Sequence, residues 1–169
     1  MNASLTVVAA DIILDAVAVG LFLFALVFFF YAYRSLADET YLSIFLICAA
    51  TMAYCALGLL VFANVLGRRD AALASILVRL QDLCLPLFFS FIPYFWSSFL
   101  SGRPRLAAAL KKASFAGLAA SALIWAIAFA LPSLYIDGFR FAEGRLVYRL
   151  GPLYYAMQVP YLACLLGSL

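Results

Sequence analysis

The sequence predicts an all-α fold, a polytopic bundle of about five transmembrane helices with a short extracytoplasmic hairpin loop. Three observations predict it. Of the 169 residues, 69% are hydrophobic and 11% charged, whereas soluble domains are about half apolar and a quarter charged. The mean hydropathy is +1.12. The apolar residues also fall in long runs separated by short polar breaks, and a bilayer-crossing helix needs ~20 of them. The whole length, 1–169, reads as one transmembrane domain with no room for a soluble one.

The first span is predicted over 12–33, with Asp11 and Asp15 on one face at its start. Acids in a first turn suit the positive end of the helix dipole, which accounts for Asp11. Asp15 lies one turn deeper. A polar linker from Arg34 to Thr40 leads to a second span over 41–66. Cys48, Thr51, Cys55 and Gly58 share a face of it, and small residues let helix backbones approach closely in lipid. Tyr54 sits mid-span, where its hydroxyl needs a partner.

The third span, 72–100, is the organising element. Ser75, Arg79, Asp82, Pro86, Ser90, Pro93, Ser97 and Ser101 fall on one stripe of a helix advancing about 100° per residue. Such a helix should face other helices and occupy the centre of the bundle. At ~43 Å it exceeds the ~30 Å of hydrocarbon, so it tilts, kinks or protrudes. Pro86 and Pro93 each remove a backbone hydrogen bond and are the candidate hinge positions; a static kink is the plainer role.

A basic turn, Gly102 to Arg105, closes that span, and Lys111 and Lys112 open the fourth, 108–131. Ala113, Gly117 and Ser121, spaced by four, form a small-residue packing face that Trp125 continues. Between Phe139 and Arg149, two alternating runs flank Glu143-Gly144 and predict a β-hairpin. Pro152 opens a fifth span, 152–169. It ends mid-run, so truncation before further helices and an output domain is expected.

Basic residues set orientation. Arg34, Arg103, Arg105, Lys111 and Lys112 lie on one side; Arg68, Arg69, Arg140, Arg145 and Arg149 lie on the other. The count ties. The dense cluster from Arg103 to Lys112 assigns its side to the cytoplasm, which leaves the N-terminus and the hairpin extracytoplasmic. The bilayer is the expected partner. The +3 net charge is spread over membrane flanks and gives no reason to expect nucleic acid.

The chain has no histidine and so lacks the commonest metal ligand and general base. No Ser-His or Cys-His couple, metal-ligand spacing, P-loop or Gly-rich phosphate cradle occurs. Neither a catalytic constellation nor a cofactor or metal site is expected. Cys48, Cys55, Cys84 and Cys164 lie in apolar runs and read as packing residues. Ionisable groups inside spans usually face the protein interior or a water-filled cavity. Asp15, Arg79, Gln81 and Asp82 would cluster towards the outer side, walled by Tyr54 and Trp125. Two roles fit. The cluster is a site for a small amphipathic ligand, with Arg79 on an anionic group and the acids orienting it. Or Arg79 and Asp82 form a structural ion pair that locks the third helix to the first.

Several features recur in order: Arg79-Leu-Gln81 heading a proline-containing aromatic run, the basic turn of Gly102 to Arg105, and an aromatic hairpin ending in Gly151-Pro-Leu-Tyr-Tyr155. This order resembles the N-terminal seven-transmembrane sensor region of bacterial histidine kinases and diguanylate cyclases, with five of the seven helices present. The resemblance implies a receptor in the bacterial inner membrane. It would sense a small amphipathic ligand or the state of the membrane and signal to a cytoplasmic output domain as a homodimer. The rival class is a small-solute or proton transporter or channel subunit, since a polar stripe on a kinked helix could line a path.

Overall fold

A computed structural model of the protein describes residues 3–67, 69–100, 102–142 and 145–157. The order of elements is α1 (Ala3–Leu36), α2 (Glu39–Leu66), α3 (Ala71–Ser98), α4 (Pro104–Ala130), α5 (Pro132–Tyr135), β1 (Ile136–Ala142) and β2 (Arg145–Leu150). Residues 152–157 are helical again. Among the described residues four helices, α1 to α4, are long and apolar enough to cross a membrane. The fifth expected span lies mostly outside the described residues, as does Cys164.

The turns between helices are built by specific side chains. Ala37 ends α1 in the left-handed region at φ 51°, and its N–H donates to the Tyr33 carbonyl at 2.8 Å, a helix stop more often given to glycine. The Asp38 carboxylate then caps α2 by accepting the Thr40 N–H at 2.7 Å. That hydrogen bond holds its carboxyl below the usual carboxylate range. At the far end of α2, buried Asn64 closes the next turn. Its amide donates to the Asp70 carbonyl at 2.8 Å and accepts the Asp70 N–H at 3.2 Å. Asp70 in turn caps α3 through the N–H groups of Ala72 and Leu73. Both caps satisfy donors that a helix start leaves orphaned.

These short turns stack the helices in sequence order: α1 packs on α2, α2 on α3, and α3 on α4. The expected small-residue face of α2 is buried at Cys48, Cys55 and Gly58. The polar stripe of α3 turns inward, with Arg79, Pro86, Ser90 and Ser97 buried. Between α3 and α4 the seam is made of hydroxyls. Ser114 donates to the Ser90 carbonyl at 2.6 Å, and the Ser90 and Ser121 hydroxyls lie 3.4 Å apart. A Cβ on Gly117 would stand 2.8 Å from the Ser90 hydroxyl, so glycine is what allows the approach. Ala113 was expected on this face and is exposed, whereas Ser114 is buried. The seam follows Ser114, Gly117, Ser121 and Trp125, nearer the true helical period than a strict spacing of four.

The predicted hairpin forms. β1 and β2 pair antiparallel with Ile136 opposite Leu150 and Ala142 opposite Arg145. The register shifts between Asp137 and Arg140, where Gly138 takes φ +68°, a conformation that glycine adopts freely and that one type of bulge uses. The base of the hairpin is closed by the Gly151 N–H, which donates to the Tyr135 carbonyl at 2.6 Å. A side chain at Gly151 would run into the Leu134 and Ser133 carbonyls. Val78, Leu83, Ala128, Tyr135, Ile136 and Met157 form the buried cluster. The tightest core therefore sits where the hairpin meets α3 and α4. Large apolar residues of α1, such as Phe24 at 73% exposed and Leu21 at 66%, point away from the protein, as a lipid-facing helix does.

Candidate functional site beneath the hairpin

Arg79 lies in the third turn of α3 and is only 8% exposed. Its Nε and Nη2 both donate to the Ile136 carbonyl, at 3.1 and 2.9 Å. Its guanidinium carbon lies 5.4 Å from the centre of the Phe139 ring. Two donors from one planar fork on one carbonyl, with an aromatic face alongside, suit arginine and not lysine. No ion pair joins Arg79 to Asp82; among the described residues the one ion pair is Lys111–Glu39, at the opposite end of the bundle. The expected i, i+3 pairing gives way because Ile136 presents its carbonyl directly over the guanidinium.

Asp15, Tyr54, Gln81 and Asp82 do come together. Gly58 on α2 makes the room. A Cβ there would stand 2.9 Å from both the Asp15 carboxylate and the Gln81 amide. Polar groups from α1 and α3 thus converge across the bare backbone of α2. The Asp15 carboxylate lies beside the Cys55 thiol and within electrostatic range of Tyr54. Asp82, half-buried, lies within electrostatic range of the phenols of Tyr54, Tyr148 and Tyr154. Tyr148 stands on β2, outside the long helices. Its partial burial, and then the Asp82 charge, push its phenol above the ordinary tyrosine range.

Trp125 has a different place. Its indole N–H donates to the Leu83 carbonyl at 3.3 Å, three residues before Pro86. A proline in a helix withdraws its N–H and disturbs the carbonyls of the preceding turn, and a neighbouring helix can re-satisfy the backbone there. Trp125 thus braces the proline segment from α4. Pro86 is fully buried, and its carbonyl accepts the Ser90 hydroxyl at 2.7 Å. Pro93 is half-buried and also lies within the continuous α3.

The two hairpin-side phenols, Tyr148 and Tyr154, and the function of Gly58 were not singled out from the sequence. The tyrosines were visible only as part of an aromatic loop. Their approach to Asp82 depends on the hairpin folding back over α3. Among the described residues no group of three His, Cys, Asp or Glu side chains could hold a metal ion. Cys48, Cys55 and Cys84 are free thiols, buried as their apolar runs imply. The arrangement is a mixed cluster: two carboxylates and an amide between three helices, with phenols around one acid and the nearby arginine held by a backbone carbonyl. Comparison with protein-family models, curated proteins and solved structures finds no match to this chain.

Proposed function

We propose that the chain is a membrane sensor module of a bacterial signalling protein. It lies in the cell membrane with the hairpin and N-terminus outside, takes a small amphipathic ligand, and passes the signal to a cytoplasmic output domain as a homodimer. The ligand's head is cationic. One observation carries that choice: Arg79 is occupied by the Ile136 carbonyl, while Asp15 and Asp82 have no cationic partner among the described residues. Carboxylates within membrane helices are costly when unpaired, and an ammonium group would supply the missing charge. The phenols within range of Asp82 add cation–π attraction. An apolar tail would extend into the surrounding lipid. The order of motifs from Arg79 to Tyr155, which resembles kinase and cyclase sensor regions, supports the receptor class.

The test is a thermal-unfolding titration of the purified protein. The probes are a short-chain alkyltrimethylammonium and the alkyl sulfate of equal length, below their micelle concentrations. The ammonium should raise the transition and the sulfate should not. Asp82→Asn, and more weakly Asp15→Asn, should remove the shift. An equal response to both probes, or an undiminished response in Asp82→Asn, sinks the cationic-ligand reading. The same unpaired carboxylates favour one second reading, a proton or small-solute path along α3. Ligand binding without proton or solute flux in liposomes separates the receptor from the transporter.

A further inference from the structure

At the end of the bundle away from the hairpin, α2, α3 and α4 leave a groove of about 230 Å³. Leu42, Leu46, Phe91, Tyr94, Phe115 and Leu118 line it. Phe115 is 63% exposed, so the groove opens sideways, where a bilayer would lie. Lys111 stands at its rim. On α4 it precedes Phe115 and Leu118 by four and seven residues, the spacing of one helix face. Its ammonium lies 5.7 Å from the centre of the Tyr94 ring and is hydrogen-bonded to Glu39. The Lys111 and Glu39 side chains are 36% and 51% exposed.

We infer that this groove is a binding site for an anionic phospholipid, with acyl chain along the apolar wall and phosphate on Lys111. Charge complementarity makes the choice of occupant. Arg34, Arg103, Arg105 and Lys112 are exposed at the same end, and with Lys111 they outnumber the acids there, Asp38 and Glu39. Basic pockets between transmembrane helices recognise acidic headgroups. The ammonium has three donors and Glu39 takes one. An exposed ion pair is weak enough to share its cation with a phosphate. Tyr94 lines the groove and also contacts the ammonium, so the head and tail sites adjoin. This site is remote from Asp82 and stands independently of the sensor reading.

The test reconstitutes the protein in vesicles of equimolar phosphatidylglycerol and phosphatidylcholine, extracts it in mild detergent, and counts retained lipids by native mass spectrometry. Phosphatidylglycerol should be retained over phosphatidylcholine. Lys111→Gln should lower that retention about fivefold, and Glu39→Gln, which frees the ammonium, should raise it. Leu46→Trp, which fills the groove, should abolish it. The Lys111 and Glu39 substitutions are at exposed positions, so their opposite signs can be read even if Leu46→Trp fails to fold. Equal retention of the two lipids overturns the site. So does a Lys112→Gln effect as large as that of Lys111→Gln, which would mean diffuse surface charge.

Discussion

On the hairpin side of Leu85, the long polar side chains Arg79 and Gln81 reach away from α3; on the other side the serine hydroxyls turn back onto it. Arg79 spans 57 positions of sequence to bond Ile136, and Gln81 reaches the bare backbone of Gly58, where the Asp15 carboxylate also lies. Beyond Pro86, Ser90 bonds the Pro86 carbonyl, Ser97 the Tyr94 carbonyl and Ser98 the Phe95 carbonyl. One half uses polarity to gather distant elements around charged groups. The other hides hydroxyls against its own backbone, so that α4 can come close. A stripe that is continuous on a helical wheel is thus two structures in series, a charged cluster and a neutral seam. The difference lies in side-chain length. A guanidinium can leave the helix, whereas a serine hydroxyl one bond from Cβ finds its nearest acceptor a turn back.

Three sets of substitutions test that contrast. The largest effect is expected for Arg79→Ala, which removes two charge-assisted hydrogen bonds and a ring contact. It should cost about 3 kcal/mol in detergent unfolding and speed hydrogen exchange throughout β1 and β2. Arg79→Lys, which keeps the charge but loses the fork, should fall between. Unchanged exchange in the hairpin would show that Arg79 is not what holds it. In the seam, Gly117→Ala should cost about 1–2 kcal/mol. Adding Ser90→Ala should recover part of that, because the Ser90 hydroxyl is the atom in the way. A purely additive double variant would place the strain elsewhere. The smallest effect is electrostatic. Tyr148 should deprotonate at higher pH than an ordinary tyrosine, because partial burial and the Asp82 charge disfavour phenolate. Asp82→Asn removes the second cause, so the ultraviolet titration assigned by Tyr148→Phe should move part of the way down. Ser121→Ala should leave it unmoved.

The long elements were legible because each signal was local. Four apolar runs became α1 to α4, alternation from Phe139 to Arg149 became a hairpin, and the α3 wheel marked its buried face. Partners were less legible. Asp82 is the natural sequence match for Arg79 at i, i+3, and no side-chain pattern marks Ile136, because what it offers is a backbone carbonyl. Gly58 read as a residue for close helix packing. Its neighbours in space, Asp15 and Gln81, lie on other helices and converge only once α1 and α3 flank α2. For Trp125 the sequence does not mark its partner, the Leu83 carbonyl, because that too is a backbone atom; its register with Gly117 and Ser121 continues the seam.

Gly151 carries a consequence for how this region can vary. Its N–H is bonded to the Tyr135 carbonyl, and the backbone of Ser133 and Leu134 leaves no room for a side chain. The chain therefore leaves the hairpin at the point where it entered. Entry and exit are pinned together, so lengthening the chain between Ala142 and Arg145 would change the loop-closure cost only slowly and would not shift α4 or the helical turn at 152–157. The hairpin is a closed excursion from the bundle. Its tip can be rewritten, in length or in chemistry, while the helices beneath keep their register.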